Sequence, residues 1–280
     1  MKKVILLSVL ITFSILVCHS EKQGQNQPNI VFKNLEKDFP KWWAYYNNNI
    51  VLSSDFIAID NFSKIISKGE FLSKLTSGEY IPLKLISKGN TNHYQLYKLD
   101  ETADKSICET IKNVSTYAYN NFKMEGKAFP EFYFKDLNGL EYNNENTKGK
   151  IAVIKCWFIA CKACVAEFPV LNELVEKYQN RNDIVFISLA FDQQEKLTQF
   201  LSKKPFNYAV IANQKQFLSK ELGINMYPTH LIIDRNGVIR KVVNNANEMI
   251  MAFESIESSG NTKSQLTLPP PPPPTVTIKK

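Results

Sequence analysis

The sequence predicts an α/β domain, a mixed sheet with helices on both faces, preceded by a small α+β domain. Three observations carry this. The 280 residues allow about two domains. The pattern changes near Lys123-Met124-Glu125-Gly126, where a helical stretch gives way to strand-like runs. Beyond it, apolar runs alternate with helical patterns and end in a strand–turn–strand hairpin, as in a mixed sheet covered on both faces.

The chain opens with an address rather than a fold. Lys2 and Lys3 precede an apolar run from Val4 to Val17, too short to span a bilayer as a mature helix. Residues 1–20 therefore read as an export signal, and the mature chain works in the periplasm or cell envelope. Cys18 closes the run, where bacterial lipoproteins carry their lipid, although Val17 is larger than the small residue expected there. The alternative is ordinary cleavage near Ser20, with Cys18 discarded. Residues 21–30, rich in Gln and Asn, read as a tether. Hydrophobic residues make up 44% of the chain, enough for a packed core. The net charge of +7 is scattered, which argues against nucleic acid as a partner. Five cysteines are too few for a disulfide-stapled scaffold.

Residues 31–122 form the small α+β domain. Leu35 to Tyr46 has helical spacing with aromatics, although Pro40 argues against one continuous helix. Ile50 to Ile59 reads as a strand and Glu70 to Leu75 as a short helix. Tyr80 to Ile86 and His93 to Leu99 read as strands around a Lys88-Gly89-Asn90 turn. Ile107, Ile111, Val114 and Ala118 then share one helix face. Trp42 and Trp43 read as one buried and one partly exposed aromatic, and Cys108 as a core residue. No catalytic constellation is visible in this domain.

Residues 123–258 form the second domain. Phe129 to Phe134 is strand-like, and Asp136 to Gly139 is a hairpin turn. Ile151 to Trp157 and Ile184 to Ala190 are buried strands. Cys161 to about Gln179 is a helix with Pro169 as a kink. Glu195 to Lys203 and Gln214 to Leu222 are helical, with Tyr208 to Ile211 a short strand between them. Thr229 to Ile233 and Val238 to Val243 form a hairpin through Asn236-Gly237, and Ala246 to Ile256 is a closing helix. Residues 259–280 form a proline-rich tail, with Pro269 to Pro274 an extended polyproline rod.

Cys161-Lys162-Ala163-Cys164 sits where a strand hands over to a helix. Free N–H groups and partial positive charge at a helix start favour thiolate over thiol, and the thiolate is the attacking species in thiol–disulfide exchange. Cys161, nearer the helix start and beside Lys162, is therefore the expected nucleophile, and Cys164 the resolving thiol. Glu167 lies on a neighbouring helix face, where burial would raise its pKa and let it carry the proton of Cys164. Cys156 faces away from Trp157 and reads as a small core residue.

Residues 126 to about 256 resemble the thioredoxin-like superfamily, and most closely its exported TlpA/ResA-like branch. The resemblance rests on the Cys161–Cys164 pair after a strand ending in Trp157, on Glu167-Phe168-Pro169, on Gly223-Ile224 followed by Met226-Tyr227-Pro228-Thr229, and on Asp234-Arg235-Asn236-Gly237. It implies a redox-active Cys161–Cys164 disulfide, a proton-handling role for Glu167, and a cis Tyr227–Pro228 bond whose exposed backbone binds substrate. It also implies disulfide-bearing exported proteins as substrates, a membrane electron donor for re-reduction, and no cofactor. Two positions depart from the pattern: Ala160 replaces the usual Trp and Ala163 the frequent Pro.

Three other functions compete. Cys161, Cys164 and His230 could converge on a soft ion such as Cu(I) in a metal-delivery module. A peroxiredoxin-like peroxidase would place Thr or Ser three residues before the reactive cysteine, where Phe158 stands. A non-catalytic interaction protein would work through the first domain and the proline tail.

Overall fold

The computed structural model describes residues 35–265 apart from Lys88 and Asn90, with side chains as far as Ser258. The signal segment, Cys18, the tether and the proline run lie outside the described residues, as do Lys88 and Asn90 of the expected turn.

The first domain opens with α1 (Phe39–Asn49). Pro40 does not break this helix, because it falls in the first turn, where no intrahelical N–H is needed. Asp38 caps the same end by accepting from the Lys41 N–H at 3.1 Å. The strand expected over Ile50 to Ile59 shortens to β1 (Phe56–Ile59). Val51 to Asp55 is spent on a turn, closed by a Ser54 N–H bond to the Val51 carbonyl. Then follow β2 (Ile65–Ile66), α2 (Lys68–Leu75), β3 (Tyr80–Leu85), β4 (Asn92–Lys98) and α3 (Lys105–Met124). The strands order as β2-β1-β4-β3, with β1 parallel to β4 and the other pairs antiparallel. Trp42, Phe71, Tyr94, Ile107 and Ile111 fill the core between sheet and helices. Gly78 (φ +79°) turns α2 into β3 where a Cβ would stand 2.8 Å from the Cys108 carbonyl oxygen, so glycine is required there. Trp42 is fully buried and Trp43 partly so, as expected, and Cys108 packs at the core's margin.

α3 runs on to Met124, and Gly126 (φ +82°) releases the chain into the second domain. Here β5 (Tyr133–Lys135) and β6 (Glu141–Asn143) form a separate hairpin. The expected strand from Phe129 narrows to β5, while Phe129 itself bonds through its N–H to the Gly237 carbonyl. The main sheet comprises β7 (Ile151–Trp157), β8 (Ile184–Ala190), β9 (Ala209–Ile211), β10 (Thr229–Ile233) and β11 (Ile239–Val243), in the order β11-β10-β7-β8-β9. β7, β8 and β9 are parallel; β10 and β11 are antiparallel to their neighbours. One face packs on Phe168, Leu171, Leu197, Met249 and Phe253, from α5 (Phe168–Lys177), α6 (Gln194–Leu201) and α7 (Ala246–Gln265). The other face packs on Phe129, Phe134, Leu218 and Ile224. The helix expected over Gln214 to Leu222 is instead wound mainly as a π-turn over Phe217–Glu221. This places Leu218 and Leu222 on that face. Among the described residues no helix is long and apolar enough to cross a membrane.

Candidate active site

β7 is the central strand of the sheet and every residue in it is buried. Its end delivers the chain to the cysteine pair. The intervening turn is fixed on both sides: the Ile159 N–H donates to Asp192 Oδ2 at 2.8 Å, and the Cys161 N–H to the Phe158 carbonyl at 3.0 Å. Cys161 then caps α4 (Lys162–Ala166), its Sγ accepting from the Cys164 N–H at 3.2 Å. The helix expected to run unbroken to Gln179 divides at Glu167. That residue ends α4 and caps α5, because Pro169 cannot supply an interior N–H. Cys161 and Cys164 are joined by a disulfide. Cys161 is 9% exposed and Cys164 0%, so an approaching sulfur reaches Cys161 first.

The Tyr227–Pro228 bond is cis, as the sequence led us to expect. Phe158, in the turn before Cys161, packs edge-on against Tyr227 at 5.7 Å between ring centroids, which sets the proline loop beside the cysteine turn. The loop is tied down by the Tyr227 hydroxyl on the Ile224 carbonyl (2.9 Å) and by the Thr229 hydroxyl on the Met226 carbonyl (2.7 Å). Asn244, at the end of β11, donates from Nδ2 to the Pro228 carbonyl (3.1 Å) and to Thr229 Oγ1 (2.8 Å).

Where α4 ends, Glu167 meets a buried charge cluster whose main member the sequence does not announce. Lys155, fully buried in β7, places Nζ 2.5 Å from Glu167 Oε2. His230, its cross-strand neighbour in β10 and also fully buried, places Nε2 3.0 Å from the same oxygen. Glu167 Oε1 accepts from the Ala246 N–H at the start of α7 at 2.8 Å. Burial pushes the Glu167 carboxyl up, but the His230 hydrogen bond and the Lys155 ammonium outweigh it and bring it down to about 2. Burial pushes Lys155 and His230 down. The consistent assignment is a carboxylate–ammonium pair with a neutral imidazole that donates from Nε2.

This corrects the expectation for Glu167. Considered alone, its burial promised a pKa raised toward neutrality; an opposite charge from the strand reverses the sign. Its polar partners are Lys155, His230 and the Ala246 N–H, none of them a cysteine. One signal was available. Lys155 interrupts the run Ile151-Ala152-Val153-Ile154, and a lysine inside a buried strand requires an acidic partner.

The copper arrangement is not assembled. His230 turns its Nε2 to Glu167, and among the described residues no group of three or more His, Cys, Asp or Glu side chains is placed to hold a metal ion. At the position where a peroxidase would need a hydroxyl, the Phe158 ring stacks on Phe191 at 5.2 Å. Cys156 is fully buried on the opposite face of the sheet from Trp157, where burial pushes its thiol up.

The AhpC/TSA family profile matches residues 126–242. Among curated proteins, the thiol-disulfide oxidoreductase ResA of Geobacillus thermodenitrificans is 25% identical over 131 residues, 45% of this chain and 75% of its own length. ResA of Bacillus thuringiensis subsp. konkukian is 30% identical over 119 residues, 42% of this chain and 68% of its own. Among solved structures, the thioredoxin domain of a thiol-disulfide oxidoreductase from Bacteroides vulgatus aligns with 47% of this chain and 96% of its own at a TM-score of 0.43 and 17% identity.

Proposed function

Because the chain belongs to the ResA-like thiol–disulfide oxidoreductases of the thioredoxin-like superfamily, we propose that it reduces disulfides of exported proteins through a Cys161–Cys164 dithiol. The observation that carries this reading is the Cys161–Cys164 disulfide at the strand–helix junction, with Cys161 as its accessible member. In the reduced protein the Cys161 thiolate attacks one sulfur of the substrate disulfide. A mixed disulfide forms, and the first substrate sulfur leaves as a thiolate that takes a proton from solvent. Cys164 attacks the Cys161 sulfur and expels the second substrate sulfur, which leaves as a thiol carrying the proton that Cys164 gives up. Two electrons have moved to the substrate, and the protein is left with its own disulfide. A dithiol donor on the membrane must then return those electrons.

Tyr227 and Pro228 bind the substrate backbone beside the sulfurs. Glu167 serves as an ion-paired anchor rather than as a proton carrier. It ties the α4–α5 junction to β7, β10 and the first residue of α7.

A redox titration of the mature chain, with alkylation and mass spectrometry, tests the reading. We expect a reversible two-electron Cys161–Cys164 couple near or below about −200 mV, the range of thioredoxin and the glutaredoxins. A much higher potential would turn the function toward an oxidase or isomerase, and absence of a reversible couple would remove the enzyme. We also place the protein in the cell envelope, anchored by lipid on Cys18, on the strength of Lys2, Lys3 and the apolar run before that cysteine. Cys18→Ala should move the chain from the membrane to the soluble fraction; an unchanged distribution would rule the anchor out.

A further inference from the structure

The first domain lies against the proline loop. Asn121, in the last turn of α3, donates from Nδ2 to Asn244 Oδ1 at 2.7 Å. Asn244 is the residue that holds the Pro228 carbonyl and Thr229 Oγ1. One side-chain amide thus links the first domain to the loop beside the cysteines. The junction is fastened elsewhere by Lys241, which donates to the Ser53 carbonyl at 3.0 Å, and by the Ser53 hydroxyl on Glu248.

Beside this amide link lies a cleft of about 350 Å³ shared by both domains. α1 and α3 supply Tyr46, Tyr117 and Asn121; the second domain supplies Met226, Asn244 and Asn245. Met226 is the residue immediately before Tyr227, so the cleft continues the proline loop. The charged residues that line it, Lys68, Glu125 and Glu248, are each engaged within the protein. Lys68 donates to the Ser53 and Ser54 carbonyls at 3.1 and 2.7 Å, Glu125 lies 3.6 Å from Lys241 outside the cleft, and Glu248 accepts from the Asn245 amide at 2.7 Å. No cation in the lining is left free for an acidic ligand. What remains is aromatic surface and side-chain amide, and Asn121 keeps its Oδ1 without a partner among the described residues.

We propose that the first domain is one wall of the substrate site: the cleft between α1, α3 and the proline loop receives an uncharged, extended stretch of the substrate polypeptide next to its cysteine. This rests on the exchange reaction proposed above. A chain that lies along Tyr227 to present its sulfur to Cys161 runs on past Met226 into the cleft. There amides pair with its backbone and Tyr46 and Tyr117 cover one large side chain. The volume, at the low end of the roughly 300–1,000 Å³ typical of ligand pockets, suits one side chain with its backbone and excludes a folded element. The pairing with Asn121 makes the first domain a specificity element rather than a spacer.

The test uses the full mature chain and three probes: glutathione disulfide, a disulfide peptide with Tyr and Val beside its cysteine, and the same peptide with Asp in their place. For the wild type, kcat/KM should be highest on the Tyr/Val peptide. Tyr117→Glu should lower the ratio of its kcat/KM to that of glutathione disulfide by about tenfold, a loss equivalent to one good contact. An unchanged ratio, whether both rates fall or neither does, overturns the proposal. A wild type that reduces glutathione disulfide yet does not prefer the Tyr/Val peptide also overturns it, while leaving the exchange reaction standing. A wild type inactive on all three removes the exchange reaction and this inference with it. A second measurement is independent of how Tyr117→Glu folds. The Cys164→Ser chain, trapped as a mixed disulfide with the Tyr/Val peptide, should gain hydrogen-exchange protection over residues 114–122. Protection that appears without peptide and grows with protein concentration would assign the cleft to a second copy of the chain and overturn the proposal.

Discussion

Cys161→Ser is expected to lower disulfide exchange by at least about a thousandfold, because the first step loses its attacking group. Cys164→Ser should fail differently. Attack by Cys161 still occurs, the mixed disulfide is not resolved, and a reductant-sensitive covalent adduct accumulates. The asymmetry follows from geometry. Cys161 is the sulfur a substrate reaches first, since Cys164 is fully buried. The Cys164 N–H, 3.2 Å from Cys161 Sγ, also supplies a hydrogen bond that favours negative charge on Cys161. Non-reducing electrophoresis and mass spectrometry with a disulfide substrate read both outcomes. Adduct formation by Cys161→Ser instead of Cys164→Ser would exchange the two roles. Wild-type rates in both variants would take the pair out of the reaction and leave Cys108 and Cys156, the free thiols of the described residues, to account for it.

The parts of this site that were legible in the sequence are those set by local pattern. β7, β8 and β10 have the bounds the sequence predicts, because each is a predominantly apolar run between turns and each is largely buried. The cysteine spacing and the Tyr227-Pro228 dipeptide are likewise local. Where tertiary contacts decide, the reading went astray. Val51 and Leu52 suit a strand, but Ser53-Ser54-Asp55 is a turn-type cluster, and the Val51 N–H goes to the Tyr94 hydroxyl while Asp55 faces Lys241 of the other domain. The Gln214 to Leu222 stretch has helical spacing, but packing Leu218 and Leu222 under the sheet widens it to a π-turn. Glu167 was located correctly and its electrostatics inverted. Its pKa is set by Lys155, twelve residues earlier, and by His230, sixty-three residues later, which meet only because β10 lies beside β7. A partner at that separation leaves no periodic trace; the one local clue was a lysine in an apolar strand.

Lys155→Met is expected to cost about 3–5 kcal/mol of stability at neutral pH, the usual result of stranding one member of a buried ion pair. It should also reverse the acid limb of the stability profile. In the wild type the folded-state pKa of Glu167, about 2, lies below its ordinary 4.5. A group depressed in this way contributes stability that is present above about pH 4.5 and is lost as pH falls toward 2. His230, whose folded pKa lies below its ordinary 6.5, acts in the same direction and begins to erode stability below that value. Wild-type stability therefore falls steadily on acidification. Without the ammonium, Glu167 keeps only His230 against the effect of burial, and the cluster holds a negative charge with no permanent cation beside it. The remaining groups facing it are His230, Tyr208 and the Ala246 N–H. The folded variant takes up a proton, on Glu167 or on His230 as a coupled pair, at a pH where the wild type does not. Its stability then rises as pH falls from 7 toward 5, opposite in sign to the wild type. Adding Glu167→Gln removes the stranded charge, so the double variant should recover much of the loss and flatten the slope. Urea denaturation of the three proteins between pH 4.5 and 8 makes the comparison. A Lys155→Met profile parallel to that of the wild type would mean that His230, and not Lys155, is what holds Glu167 ionised.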